Sequence, residues 1–178
     1  YINADFAFCA DLQSEIGNRN IDINLGGGSL LDIGVYPLFL CYVVFGIPTE
    51  ILAKAHFHQT GADLQTSMIL QYDNAQAILH SSFVSTSNIK ATINGTKGRI
   101  NLNTLWHQTQ SYTLTIADHE EEIVLPTKGK GFTYEIEECH QCIRENRIES
   151  SLWSHQNSLD LIKIVDRVRN QIGLEYPS

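Results

Sequence analysis

The sequence predicts an α+β fold: an open, mainly antiparallel β-sheet with helices packed on one face. Three observations carry that prediction. Residues 29–45 form a dense apolar run stopped by Gly46 and Pro48, residues 51–125 hold short segments joined at hairpin spacing, and two amphipathic stripes close the chain. Consecutive hairpins make antiparallel neighbours, because parallel ones need long crossovers. One helix, a long meander and then two helices give a layer of helices on a sheet.

In chain order, Ile2–Cys9 alternates apolar and polar residues as a half-buried strand does. A polar stretch with Gly17 and Asn18 leads to the glycine run Gly26-Gly27-Gly28, and Ser29 to Phe45 then reads as a helix. Ile51–His58 is the next strand, and Leu64, Thr66, Met68, Leu70 and Tyr72 alternate in another. Asp73-Asn74 turns that strand into Ala75–Val84. Ile89–Ile93 and Arg99–Asn103 flank the turn Asn94–Gly98, and Tyr112–Ile116 and Glu122–Leu125 flank Asp118-His119. Phe132, Ile136, Cys139 and Ile143 form the first helical stripe. Leu159, Ile162, Val165, Val168 and Ile172 form the second, with Ser154 as its N-cap.

The chain has 178 residues, 43% of them hydrophobic, with 20 acidic against 12 basic side chains and a net charge of −8. That length reads as a single domain, 1–178, able to bury a core without disulfide or metal staples. The acidic balance argues against nucleic acid and anionic membrane, both of which need clustered Lys and Arg. The apolar stretch Leu38–Phe45 is too short to span a bilayer and reads as a core helix. Cys9, Cys41, Cys139 and Cys142 are too few for a disulfide scaffold, which points to a reducing, cytoplasmic setting. The chain begins at Tyr1 rather than Met and shows no signal-peptide pattern, as a piece of a longer protein would.

The segment richest in chemistry is Gly26 to Pro37, GGGSLLDIGVYP. Three glycines allow tight turns and close approach of another surface. The helix start behind them offers free N–H groups. Asp32 and Tyr36, four residues apart, share a helix face and can converge on one ligand, a carboxylate orienting a hydroxyl and a phenol exchanging a proton. Against that stands a purely structural reading, in which Asp32 favours the helix dipole and Tyr36 packs. The glycines do not follow G-x-G-x-x-G, and no βαβ pattern surrounds them, so this chain contains no dinucleotide-binding domain.

This segment closely resembles the signature opening the second domain of the Gfo/Idh/MocA oxidoreductases. It looks most like the subgroup of glucose–fructose oxidoreductase and trans-1,2-dihydrobenzene-1,2-diol dehydrogenase, where Tyr stands in place of the His of many other members. Asn94–Gly98, Glu135–His140 and the run from Glu149 to Pro177 are similar to the family's hairpin turn, penultimate helix and C-terminal helix segment. The resemblance implies the substrate-binding and dimerisation domain of a two-domain enzyme that moves hydride between NAD or NADP and a sugar, polyol or cyclic diol. It implies Tyr36 as acid/base and Asp32 as its substrate-placing partner, with Trp106 and Phe132 as aromatic pocket residues. Core or dimer-interface packing is the competing role for both aromatics. The implied partners are the chain's own N-terminal Rossmann domain, a small-molecule substrate, and a second copy docked through the sheet. No Glu-Lys-Pro, the family's lysine motif, occurs here, so this chain alone is expected to be inactive. A catalytically silent, ligand-sensing relative of the same fold is the alternative, and retention of both Asp32 and Tyr36 argues against it.

Other features suggest less. Cys139-His140-Gln141-Cys142 has no second ligand pair, and His56, His58 and His80 lack a carboxylate at a telling spacing, so no metal is expected. Glu120–Glu122 reads as a solvated turn.

Overall fold

The computed structural model describes residues 1–13 and 17–177. Eight strands form one sheet: β1 Ile2–Ala7, β2 Glu50–Phe57, β3 Asp63–Gln71, β4 Gln76–Ser82, β5 Ala91–Asn94, β6 Gly98–Leu102, β7 Ser111–Ile116 and β8 His119–Val124. Their order is β2-β3-β4-β1-β5-β6-β7-β8. All neighbours are antiparallel except β1 and β4, which run parallel with Ile2 opposite Ala77 and Ala4 opposite Leu79. The sheet is thus mainly antiparallel, as expected, with the long meander interrupted once: β1 inserts between β4 and β5, and the whole connection from β1 to β4, through β2 and β3, serves as the crossover that a parallel pair requires.

Alternation fixes which face is covered. Ile2 and Ala4, Ile51 and Ala53, Met68 and Leu70, and Ala77 and Leu79 all point to the face that carries the helices. There they meet α1, Val35–Phe45, and α3, His155–Ile172. From α1 come Leu38 and Cys41; from α3 come Ile164, Val165 and Val168. Taken together, Ile23–Phe45 is long and apolar enough to cross a membrane by length and composition, more than Leu38–Phe45 alone suggests. Its Leu30, Ile33, Leu38 and Cys41 are spent in this core. On the opposite face, Leu52, Ile69 and Ile78 stand in cross-strand register as one row, each about half exposed.

Ser154 caps α3 as its sequence predicts, in a reciprocal capping box with Asn157. The stripes differ from expectation. In α3 the buried set is Ile164, Val165 and Val168, while Leu159 and Ile162 remain exposed. In α2, Phe132–Arg144, no residue is buried, so the Phe132, Ile136, Cys139, Ile143 stripe is not a core stripe of this chain. Helical periodicity says that a face is apolar, not which surface it meets, and the covered face of this sheet is already taken by α1 and α3.

Candidate functional site

The predicted helix from Ser29 divides in two, a π-turn at Leu30–Gly34 running into α1. Single π-turns inside helices recur at functional sites. Its start is held from outside. Asp63, at the head of β3, is fully buried, and its Oδ2 accepts hydrogen bonds from Ser29 Oγ at 2.8 Å, Leu30 N–H at 2.9 Å and Thr66 Oγ1 at 2.7 Å. Asp63 thus does for this helix what an N-cap side chain usually does. Burial pushes its carboxyl above the usual carboxylate range, although the three donors pull the other way.

The glycine run serves this contact. A Cβ on Gly27 would come within 2.8 Å of the Asp22 backbone, and one on Gly28, whose φ is +130°, would lie 2.3 Å from Asp63 Oδ1. Tyr176, near the C-terminus, closes the cluster by donating from its hydroxyl to Gly27 O at 3.0 Å. The Arg169 guanidinium lies over the Tyr176 ring.

One turn further on, Tyr36 stands 41% exposed at the edge of a pocket of about 490 Å³. Val35, Phe39 and Leu40 of α1, Leu102 of β6, Leu161 of α3, and Trp106 and His107 complete its lining. Trp106 and His107 belong to a 3-10 turn, Trp106–Gln108, entered through Leu105 at φ +60°. Trp106 anchors that turn: it is nearly buried, and its Nε1–H donates to Asp5 O at 2.8 Å. The His107 ring stacks on Phe6 at 4.3 Å between centroids, and the rings of both meet Tyr36 edge-on, at 5.3 Å from Phe6 and 5.5 Å from His107. Burial lowers the His107 pKa, which favours the neutral imidazole.

Of the four residues singled out from sequence, Tyr36 and Trp106 share this pocket. Asp32 lies on the π-turn with its carboxylate paired to the exposed Arg19 guanidinium. Phe132 starts α2, 65% exposed and outside the pocket lining. Sequence reasoning missed Phe6, His107, Arg19 and Asp63. Phe6 was within reach, because it continues the Ile2, Ala4 alternation toward the helices. Among the described residues no group of three or more His, Cys, Asp or Glu side chains is placed to hold a metal. Cys139 is exposed, Cys142 donates to Glu138 Oε1 at 3.4 Å, and the rings of His58 and His80 meet the hydroxyls of Thr60 and Ser67.

Comparison with known proteins identifies the family and the fold. A family profile described as the GFO/IDH/MocA C-terminal domain matches residues 1–101, which include β1, the glycine run, the π-turn and Tyr36. The chain belongs to this family. It is 36% identical over 155 residues to scyllo-inositol 2-dehydrogenase (NADP(+)) of Bacillus subtilis, covering 86% of this chain and 47% of that protein. It is 34% identical over 171 residues to trans-1,2-dihydrobenzene-1,2-diol dehydrogenase of Xenopus tropicalis, covering 89% and 51%. Among solved structures, a 3-ketoreductase from Actinomadura kijaniata in complex with NADP and TDP-benzene superimposes with a TM-score of 0.78 at 24% identity, over 96% of this chain and 53% of that one. The aldose-aldose oxidoreductase from Caulobacter crescentus also gives 0.78, at 18% identity, over 96% and 52%. The fold is thus that of the family, and the chain spans about half the length of the relatives it matches.

Proposed function

We propose that this chain, as a single domain over residues 1–178, is the substrate-binding half of an NAD(P)-dependent oxidoreductase acting on a sugar, polyol or cyclic diol. The observation that carries this reading is the placement of Tyr36, a half-exposed phenol at the edge of an aromatic-walled pocket, on the segment that matches the family. Relatives whose names specify scyllo-inositol and a dihydrobenzene diol point to ring-shaped substrates bearing several hydroxyls. A pocket wall of Tyr36, Phe39, Trp106 and His107 suits the flat apolar face of such a ring.

The glycine run does not directly follow a strand, and it packs on the Asp22 backbone and Asp63 rather than opening a strand-to-helix phosphate turn. The dinucleotide is therefore held mainly by an N-terminal Rossmann domain, the half that the relatives' greater length implies. When bound there, the nicotinamide supplies or accepts the hydride. This chain supplies the proton side. Tyr36, entering as its phenolate, takes the hydroxyl proton of the substrate as the carbinol carbon gives up its hydride, and in the reverse direction the neutral phenol returns it. The pocket lining contains no Lys or Arg, so the cation that assists this transfer comes from outside the domain. Asp32 precedes Tyr36 by one turn of the same segment but lies outside this pocket's lining, so its role of holding a substrate hydroxyl rests on the family resemblance and on release of its surface ion pair with Arg19. The exposed row Leu52–Ile69–Ile78 supports a dimer formed through the open sheet face.

The test is a screen of the full-length protein against sugars, inositols and cyclic diols with NAD and NADP, following reduced nicotinamide by absorbance. Turnover of at least one polyhydroxylated ring is expected. Its absence across the panel with both cofactors would overturn the reading.

A further inference from the structure

Within the pocket, the His107 ring is enclosed by three aromatic neighbours. Its ring lies against Phe6 at 20° between planes, and Trp106 and Tyr36 fix its other sides edge-on. Its backbone is set by Leu105 in the left-handed region and by the Trp106 anchor to β1. This geometry leaves Nδ1 buried with no hydrogen-bond partner. Orphaned buried N–H donors are rarer in proteins than under-used acceptors, so the imidazole proton belongs on Nε2. Nε2 is then the nitrogen left to serve a ligand in the pocket that the ring lines, and none of the described residues is hydrogen-bonded to it.

Resting on the function proposed above, we propose that His107 positions the substrate, its Nε2–H donating to the oxygen adjacent to the carbinol that faces Tyr36. Adjacent hydroxyl oxygens on a ring lie about 3 Å apart, and each needs a partner about 2.8 Å away. Two groups whose rings meet at 5.5 Å can serve such a pair. The neutral ring that burial favours suits this role, since an imidazolium would need a buried counter-charge. His107 is therefore a positioning residue that selects vicinal diols over single alcohols, and the proton transfer stays with Tyr36.

The test uses the full-length protein with NADP and compares trans-cyclohexane-1,2-diol with cyclohexanol. His107→Phe keeps the stack on Phe6 and removes the donor, so KM for the diol should rise about tenfold, more than kcat falls and several-fold more than any change in KM for cyclohexanol. His107→Gln, whose amide nitrogen reaches close to the Nε2 position, should recover most of that loss. An unchanged diol KM in the Phe variant, or a Gln variant no better than Phe, would reduce His107 to packing and overturn the proposal. A readout independent of turnover is the nitrogen NMR resonance of the His107 ring in the NADP complex. It should shift with the diol and not with cyclohexanol, and no shift with either refutes the role. If the wild-type enzyme oxidises nothing in the wider panel but this resonance responds to the diol, the redox reading fails and the positioning role stands.

Discussion

Replacing Gly28 by alanine introduces a Cβ at 2.3 Å from Asp63 Oδ1 and 3.3 Å from the Tyr176 hydroxyl, in a backbone whose φ of +130° L-residues rarely adopt. The backbone strain alone costs about 1–3 kcal/mol. Clearing the contact means moving a carboxyl group that accepts three hydrogen bonds. Weakening two of them adds about 2 kcal/mol. A total near 4 kcal/mol lowers the melting temperature of a domain of this size by about 8–16 °C. Gly26→Ala is the control, because Gly26 also has positive φ (+76°) but open space around its Cβ position. It should cost only the strain, about 1–2 kcal/mol. Thermal melts followed by circular dichroism measure both, and a double-mutant cycle with Asp63→Ser should return most of the excess. If Gly28→Ala melts no lower than Gly26→Ala, or the cycle is additive, the glycine run does not serve the Asp63 contact.

Two further predictions follow from titratable groups. Burial raises the Asp63 pKa above 3.8, so the folded chain binds that proton more tightly than the unfolded chain does. The stability from this group is fully present below the unfolded value and is lost as pH rises through the folded one. The melting temperature of Asp63→Asn relative to wild type should therefore move in favour of the Asn variant from about pH 4 to neutrality, and a constant gap would contradict this. Burial also pushes the Cys41 thiol up to about 12. Cys9 and Cys139 are exposed, whereas the Cys142 thiol is tied to Glu138, so a chromogenic disulfide should titrate two thiols fast, Cys142 more slowly, and Cys41 only on unfolding. Fast native-state reaction of Cys41 would refute its placement in the core.

The elements were legible in the sequence because each carries a local period. The strands alternate, the hairpin turns are short, and Ser154 marks a helix start that the fold contains. What was not legible is what two distant segments decide together. The parallel pairing of β1 with β4 depends on where a crossover lands, and the missing partner of α2 depends on which surfaces α1 and α3 leave free. The candidate site divides in the same way. Tyr36 stood out because its spacing from Asp32 and the glycines is local, but Asp63 caps that segment from 33 residues away in sequence, counted to Leu30. His107 reaches Tyr36 only because Trp106 ties its turn to Asp5, 101 residues earlier. Neither contact leaves a periodic trace in the chain.

The central claim is that Tyr36 exchanges the substrate proton. Its ring is held by Phe6 and His107, which phenylalanine would also satisfy, and its hydroxyl makes no hydrogen bond among the described residues. Tyr36→Phe should therefore leave the melting temperature of the full-length protein nearly unchanged while kcat falls by about 10²–10⁴-fold, the usual worth of a general acid–base group. Turnover by the folded Tyr36→Phe protein at the wild-type rate would remove Tyr36 from the chemistry and contradict the account.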